Sequence, residues 1–428
     1  MSYGNNRNYR GSGYRSNHRS GGYRAPSSSR SSRGVRGTSS RRRKNTKRTR
    51  NRVIIIACLI VILALIIALV STMFNCVCGT SKPLGSTEET ATSATQDTRP
   101  SQEAKKKEKT TEALTFNAPN IDDDKKSKGV NDGGIYVWNE MGFELFYGDE
   151  SMGQRYAKYM NNAKKKLGSG INVYSMIIPN HTEMGLPSRL KNVNGGATTL
   201  SQADFIKSAY DAFDGVKYIN VYNDLSAHCN DYIYFGSDHH WTALGGYYAY
   251  TAFAKQTNQK AISLDECEKK MVDGFTGSFI KLTSEKISAD TVYYWDFPYD
   301  ITSTITGQSV QSGKYDGVYY PYAAEGENTY GLFLYGDNPL EVIKSSSDAA
   351  GKEKILVIHE SYGNAFVPYL TYNYSEIHSI DFRSFRDTNS EDLKTYCEKN
   401  GIKNVLFVNG VMSAATAEQL DKIEALLK

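Results

Sequence analysis

A carboxylate, two imidazoles and an indole stand side by side in this chain, at Asp238, His239, His240 and Trp241. A carboxylate two residues from an imidazole can fix the tautomer of that ring, which leaves the other ring nitrogen free to act as a general base. Far along the chain, Ser361 lies between an apolar run and a Gly-Asn pair. Serine is a poor nucleophile unless a base takes its proton, so the two segments together predict a catalytic triad.

Both segments are predicted to lie at the ends of strands, where an α/β sheet displays working residues. The aromatic stretch 231–235 is strand-like, and Thr242 to Lys255, beyond the Asp-His-His-Trp run, favours a helix. Ser361 follows a buried strand predicted at Lys354 to Ile358, and a helix is expected to begin near Gly363. A helix N-terminus would stabilise an oxyanion beside the serine. A serine at such a junction is also a common helix N-cap, so alone it is weak evidence.

Apolar strand-like runs alternate with amphipathic helical patterns from about Gly133 to the end of the chain. This alternation predicts one α/β domain over residues 131–428, with a parallel sheet covered by helices on both faces. Region 262–330 is rich in Tyr, Thr, Ser and Gly and lacks the alternation. It is predicted to be a β-rich insertion.

The segment before this domain has a different composition. Residues 1–52 hold 16 of the 51 Lys and Arg and no Asp or Glu, whereas the rest of the chain carries 35 basic and 46 acidic residues. Such an Arg- and Gly-rich arm has too few aliphatic side chains to fold and is predicted to be disordered. Val53 to Phe74 is uncharged, mainly aliphatic and long enough to cross a bilayer as a helix. Residues 53–75 are therefore predicted to be a transmembrane helix.

The charges around this span predict its orientation. Basic residues precede it and no charge follows until Lys82, so the tail is expected in the cytoplasm and the body outside the cell membrane. The apolar run is longer than that of a signal peptide, which favours an uncleaved single-pass anchor. Residues 76–130 are polar and are predicted to be an extracellular stalk. No nucleic-acid partner is expected, because topology accounts for the basic tail, although binding to anionic lipid is an alternative.

The motif Asp-x-His-Trp, followed much later by a strand and Ser-Tyr-x-Asn-Ala-Phe-x-Pro-Tyr-Leu, resembles the DHHW-type, SGNH-hydrolase-like proteins. These are relatives of the alginate O-acetyltransferase proteins, which modify cell-surface polysaccharides. The resemblance covers roughly residues 133–428. It implies an SGNH-hydrolase-like sheet with Ser361 as nucleophile, His240 as base and Asp238 as the residue that orients the base. Glu360 precedes the serine where many relatives have Asp, a change that keeps the acid.

The resemblance also implies a set of residues that bind the oxyanion or the substrate. They are Gly336, Asn338, Tyr362, Asn364, Arg383 and Trp241. A tight Gly-Asp-Asn-Pro turn explains the first two equally well. A surface ion pair is the alternative for the arginine, and burial in the core is the alternative for the tryptophan. No carbohydrate-binding domain is evident, so the region around Tyr319, Tyr320 and Tyr322 is expected to hold a polymer.

The resemblance implies acyl transfer at the cell envelope without a cofactor. An acetyl group, delivered by an integral-membrane partner, would pass to the serine and then to a hydroxyl of a surface polysaccharide. With water as acceptor the same triad gives a carbohydrate acetylesterase, and a non-catalytic protein that binds glycan or a partner is a third hypothesis. Adjacent histidines and an aspartate can also bind a divalent ion. No metal is expected, because the further ligand clusters of such a site are missing from the sequence.

Overall fold

The computed structural model describes residues 114–321, 328–351 and 353–428. The predicted cytoplasmic tail, the predicted span Val53 to Phe74, most of the predicted stalk and Tyr322 lie outside these residues. Among the described residues, no helix combines the length and the apolar character that a membrane span requires.

The strands of the described residues form one large sheet and two small ones. Their bounds are β1 Val130–Asp132, β2 Ile135–Trp138, β3 Met141–Glu144, β4 Asn172–Ile178, β5 Lys217–Tyr218, β6 Glu268–Phe275, β7 Asp290–Asp296, β8 Ile301–Thr306, β9 Gly313–Asp316, β10 Leu340–Ser345, β11 Lys354–His359, β12 Glu376–Asp381 and β13 Asn404–Gly410. The large sheet has the order β5-β4-β13-β11-β12-β10-β8-β9, while β1-β2-β3 and β6-β7 are separate antiparallel units.

The large sheet is mixed, which corrects the prediction of a parallel sheet with a β-rich insertion. The neighbours from β5 to β12 pair in parallel, whereas β10, β8 and β9 continue the sheet with antiparallel pairings. Two strands of the supposed insertion therefore belong to the main sheet. The burial of β8 alternates along Ile301–Thr306, as expected for an antiparallel strand with one covered face.

Strand β11 is enclosed from both sides. Ile355, Leu356, Val357 and Ile358 are each fully buried. Because successive side chains of a strand point to opposite faces, this run requires that both faces of the sheet be covered at β11. The strand that leads to the predicted nucleophile is therefore held by packing on each side.

The helices of the described residues are short apart from α1 and α5. Their bounds are α1 Glu150–Leu167, α2 His181–Gly185, α3 Gln202–Asp211, α4 Tyr222–Ala227, α5 Ala243–Gln256, α6 Phe385–Thr388, α7 Leu393–Asn400, α8 Val411–Ala415 and α9 Ala417–Ala425. Short 3₁₀ helices occupy Ser188–Leu190, Leu264–Glu266, Ser278–Lys281, Thr329–Leu332, Asp348–Ala350, Ser361–Ala365 and Val367–Tyr372.

Helix α1 shows how local sequence sets these boundaries. The Asp149 carboxylate accepts the Met152 N–H and caps its start, and Gly168 ends it with a positive φ of 83°. Tyr156, Met160 and Ala163 are buried at helical spacing, and this face packs against α3 and β4.

Residues 114–129 have no regular secondary structure, yet they contact the folded body. The ring of Phe116 meets that of Tyr222 edge to face at 5.0 Å. The Asn117 N–H donates to the Asn223 side chain, and the Arg189 Nε lies 2.6 Å from an Asp123 carboxylate oxygen. The predicted stalk boundary at residue 130 is therefore corrected, because this stretch packs against the domain.

Glu341 is a buried acid in the middle of the sheet, on β10. Its side chain lies among the residues of β8 and β12, and its Oε1 has no hydrogen-bond partner among the described residues. Burial raises the pKa of this carboxyl to about 8, although a hydrogen bond with Ser303 acts in the opposite direction. Near neutral pH, the native protein keeps this carboxyl protonated.

We predict that the wild type loses stability as the pH rises from about 5 to 8, and that Glu341→Gln does not show this loss. An unfolded glutamate ionises near pH 4.3, so within this window the unfolded chain releases a proton that the native protein retains. The wild-type free energy of unfolding should therefore fall by up to about 1.4 kcal/mol per pH unit relative to the variant. Urea unfolding of both proteins measures this slope, with exposed Glu418→Gln as the matched control. Identical slopes for Glu341→Gln and wild type would refute the prediction.

Candidate active site

The parallel strands β4, β11, β12 and β13 end at one edge of the sheet. His359 at the end of β11 pairs with Asp381 of β12 and Val408 of β13, and Gly410 pairs with Ile178. Since the carboxyl ends of such strands face a common crevice, the residues that follow them are brought together. Ser361 follows β11 and therefore lies at this edge.

Ser361 begins a short 3₁₀ helix, Ser361–Ala365, two residues before the predicted helix start near Gly363. The Gly363 N–H donates to the Glu360 carbonyl, which closes the tight turn after the strand. A Cβ on Gly363 would lie 2.3 Å from the His359 ring, so only glycine fits this turn without a shift. His359 is itself fixed by hydrogen bonds with Ser379 and the Glu360 carbonyl.

The aromatic stretch 231–235 is not a strand of any sheet, contrary to the prediction. Together with the Asp-His-His-Trp run it forms a narrow loop. An isolated antiparallel β-bridge between Tyr234 and Trp241 closes this loop. The Phe235 N–H donates to the His240 carbonyl at 3.2 Å, and the Thr242 N–H donates to Ile233. Helix α5 then begins directly after the motif, with the Thr242 hydroxyl as its N-cap.

The three residues of the predicted triad meet in this structure. The His240 Nε2 lies 2.7 Å from the Ser361 Oγ, and its Nδ1 lies 2.5 Å from an Asp238 carboxylate oxygen. These distances are those of a nucleophile, a base and the carboxylate that orients the base. Both contacts are held within the fold: Asp238 and His240 are 5% and 6% exposed.

Asp238 is anchored independently of the imidazole. It also accepts the backbone N–H groups of His240 and Ser278. Burial acts to raise its pKa, but the charge and hydrogen bond of His240 outweigh burial and hold the pKa of Asp238 well below its usual range. The carboxylate therefore stays ionised when the imidazole gains a proton.

Two buried residues that sequence reasoning missed complete this arrangement. Tyr330 stacks on the His240 ring, with centroids 3.9 Å apart and planes 9° from parallel, and its hydroxyl donates to the Ser361 carbonyl at 2.9 Å. Burial raises its pKa far above the usual range, so the hydroxyl remains a donor. Asp290 accepts the Ser237 hydroxyl and N–H and the Gly236 N–H, which fixes the turn before the motif.

Arg383 forms ion pairs with two carboxylates, and these pairs link it to the site. It binds Asp381 with both Nε and Nη2, and its Nη2 lies 2.7 Å from the Asp337 carboxylate. Asp337 in turn accepts an amide hydrogen of the buried Asn364 at 2.9 Å. Burial acts to lower the pKa of Arg383, but Asp381 and Asp337 outweigh it and raise the pKa, so the guanidinium keeps its charge.

Comparisons with known proteins agree with this geometry. The family model described as DHHW protein matches residues 117–380, more than half of the chain. The chain belongs to the DHHW family. This confirms the recognition made from the two motifs. No curated protein matches the sequence significantly.

Solved structures share the fold of this DHHW protein. A DHHW family protein from Eubacterium siraeum DSM 15702 is similar with 28% identity and a TM-score of 0.61, over 70% of this chain and 97% of that one. Bacillus cereus PatB1 is similar with 19% identity and a TM-score of 0.53, over 68% and 98%, and another PatB1 structure carries a sulfonyl adduct. The O-acetyltransferase domain of Pseudomonas putida AlgJ matches with 12% identity and a TM-score of 0.40, over 68% and 98%.

In this DHHW protein, Ser361 borders two cavities. The larger one, about 420 Å³, is named here the His240 cavity; its lining includes Asp238, His240, Tyr330, Gly336, Asn364 and Lys281. The smaller one, about 250 Å³, is named the Glu144 cavity; its lining includes Glu144, Glu360, Tyr362, Met412, Ser413 and Gln419. His239, Ser361 and Arg383 line both.

The remaining predicted residues divide between the cavities and the core. Gly336 lines the His240 cavity, but its N–H donates to the Phe333 carbonyl. Asn338 accepts the N–H groups of Gln308 and Ser309 and is not among the described residues that line either cavity.

The two aromatic candidates support the loops that carry the triad. Trp241 is fully buried and donates its Nε1–H to the Tyr362 carbonyl at 2.8 Å. The Tyr362 hydroxyl donates to the His239 carbonyl. These hydrogen bonds join the Asp-His-His-Trp loop to the serine turn. Both side chains therefore support the site by holding its backbone segments together.

His239 lies beside the triad. Its Nδ1 is 3.0 Å from the Ser278 hydroxyl, and burial lowers its pKa, so the ring is neutral near pH 7. The ligand atoms of Asp238, His239 and His240 lie within 4.8 Å of one another, which is close enough for a metal ion. A metal on His240 would have to displace Ser361 or Asp238, because these occupy both ring nitrogens. The donor set therefore fits a triad better than a metal centre.

We predict that Gly277→Ala will impair catalysis while Gly170→Ala will not. A Cβ on Gly277 would lie 2.3 Å from the Asp238 Cβ, so Asp238 or the Gly277 backbone must shift and the alignment of the carboxylate with His240 is disturbed, whereas the Gly170 Cβ would meet open space. A displacement of this order costs roughly 100-fold in rate. The measurement is kcat for hydrolysis of 4-nitrophenyl acetate, with circular dichroism to verify folding. Equal kcat values for the two folded variants would contradict this assignment of Gly277.

Proposed function

We propose that this protein is a serine acyltransferase that passes an acyl group, acetyl in the simplest case, to a hydroxyl of a cell-surface polysaccharide. The observation that carries the proposal is the 2.7 Å contact between the His240 Nε2 and the Ser361 Oγ, with Asp238 behind the imidazole. A buried carboxylate, a base and an accessible serine in this order are the elements of acyl transfer through a covalent intermediate. A purely glycan-binding protein has no need of this arrangement.

In the first half-reaction, the Ser361 Oγ attacks the carbonyl carbon of the donor ester while the His240 Nε2 takes its proton. The bond to the donor oxygen breaks, and His240 returns the proton to that oxygen. In the second half-reaction, a sugar hydroxyl gives its proton to His240 and attacks the acyl carbon. The ester bond to the serine breaks, and Ser361 regains its proton.

The negative charge that develops on the carbonyl oxygen needs donors at the same edge of the sheet. Asn364 is buried and lines the His240 cavity, and its amide is oriented by the bond to Asp337. We assign the Asn364 amide and the Ser361 backbone N–H as the oxyanion donors. Arg383 orients Asn364 through Asp337, so its role is positioning.

The lining of the His240 cavity suits a sugar acceptor. Tyr330 and Phe275 contribute aromatic rings, and Asn328, Asp337 and Lys281 contribute polar groups. Aromatic surfaces beside a few polar groups are typical of pockets that bind an amphipathic ring. Water would compete as acceptor, so hydrolysis is the expected side reaction when no sugar is present.

The location of the protein is part of this proposal. Val53 to Phe74 would anchor the chain in the cell membrane, with the basic tail in the cytoplasm and the DHHW domain outside. An activated acyl donor made inside the cell would then need an integral-membrane partner to bring its acyl group to Ser361. The uncharged run and the charge asymmetry around it support this orientation.

We predict that the purified full-length protein cleaves 4-nitrophenyl acetate and acetylates oligosaccharides. Ser361→Ala should lower both rates at least roughly 1000-fold, because the nucleophile is removed. Ser375→Ala is the matched control, since Ser375 precedes β12 at the opposite edge of the sheet. Mass spectrometry of a panel of neutral and acidic oligosaccharides measures transfer. Ester cleavage without acetylated sugar would indicate an esterase, and a folded wild type as inert as Ser361→Ala would favour a binding protein.

A further inference from the structure

The Glu144 cavity touches the proposed nucleophile but not the base. Ser361 lines both cavities, whereas His240 lines only the larger one among the described residues. The Glu360 side chain lies between the serine turn and the end of β13 and links them, because its two oxygens accept the Tyr362 and Gly410 N–H groups. Gly410 and Met412 then extend the wall of the smaller cavity.

Proton transfer assigns three of the four groups around the reacting carbon. The donor oxygen and the acceptor oxygen both exchange a proton with the His240 Nε2, so both occupy the His240 cavity in turn. The carbonyl oxygen faces Asn364, which lines the same cavity. Besides the donor oxygen and the carbonyl oxygen, the Ser361 Oγ is the third group of the first tetrahedral adduct, so the only substituent left to place is the acyl chain. The Glu144 cavity is the space beside Ser361 that remains for it.

The volume of this cavity exceeds what an acetyl group needs. An acetyl methyl is about the size of a water molecule, whose share of liquid volume is roughly 30 Å³. The cavity holds about 250 Å³. A chain of several carbon atoms would therefore fit beside Ser361.

The charges of the lining disfavour an anionic chain. Glu144 and Glu360 are acidic. Arg383 is the cation among the described lining residues, and its charge is already balanced by Asp381 and Asp337. His239 contributes no charge near pH 7, because burial lowers its pKa. A carboxylate in this cavity would therefore meet acidic neighbours without a free cation.

We propose that the Glu144 cavity is an acyl pocket for short, uncharged acyl chains that are longer than acetyl, such as a butyryl group. The proposal rests on the proposed function and adds the chemistry of the acyl group to it. The bonds made and broken are those of any ester: the acyl carbon passes from the donor oxygen to the Ser361 Oγ and then to the acceptor oxygen. The chain in the pocket stays unchanged throughout.

The test compares two four-carbon esters with the acetyl ester on the full-length protein. The 4-nitrophenyl esters of butyrate and succinate differ in charge, and each rate is divided by that of hydroxide-catalysed hydrolysis. We expect kcat/KM for the butyryl ester to exceed that of the acetyl ester roughly tenfold, as the burial of two further methylene groups allows. The succinyl ester should be poorer than the butyryl ester.

Variants locate the effect within the site. Ser413→Leu adds bulk to the lining of the Glu144 cavity and should lower the butyryl to acetyl ratio of kcat/KM roughly tenfold. Ser413→Ala adds no bulk and should leave this ratio unchanged. Thr276→Leu places the same side chain in the His240 cavity and should alter the dependence on leaving group and acceptor without changing this ratio.

The outcomes separate the pocket from the underlying function. If no ester, acetyl included, reacts in a Ser361-dependent manner, the proposed function fails and the pocket fails with it. If the acetyl ester reacts but the butyryl ester gains no advantage over it, or if Ser413→Leu and Thr276→Leu change the butyryl to acetyl ratio equally, the acyl pocket is overturned while the proposed function stands.

Discussion

The orientation of the His240 ring is the constraint on which the rest of the site depends. Asp238 holds one ring nitrogen at 2.5 Å, Tyr330 covers the ring face at 3.9 Å, and Ser361 meets the other nitrogen at 2.7 Å. The serine is 121 residues from the histidine in sequence. The fold must therefore hold three separate loops in fixed positions before any proton can move, and each loop is tied to the next by buried hydrogen bonds.

The sheet supplies this rigidity. Strand β11 is buried on both faces and delivers Ser361 to the edge, while β12 delivers Asp381, which orients Arg383. Glu360 joins the serine turn to the end of β13 by accepting the Gly410 N–H. Because these strands are packed on both sides, the groups that touch the substrate are positioned before it arrives, which is how a site supported by regular elements gains precision.

Much of this could be predicted from the sequence, and the failures have physical causes. The triad and β11 follow from residue type, order and apolar burial, which are local signals. Tyr330 and Asp290 contact the motif from distant segments, and such contacts leave no local pattern, although Tyr330 immediately precedes a segment singled out by its resemblance. The helix after Ser361 is 3₁₀ because Gly363 packs on His359 and Pro368 has no N–H to continue an α-helix. The alternating Ile-Thr-Ser-Thr-Ile-Thr of β8 was a signal for an antiparallel strand.

The most direct test of the central claim is to identify the residue that carries the acyl group. Full-length protein is mixed with 4-nitrophenyl acetate, quenched in acid within milliseconds to seconds, digested and mapped by mass spectrometry. The triad predicts acetyl on Ser361 in the wild type, and a much slower appearance of this adduct in Asp238→Asn, where the base is no longer oriented. Acetyl on another residue at a rate that matches turnover, with Ser361 unmodified, would contradict the account.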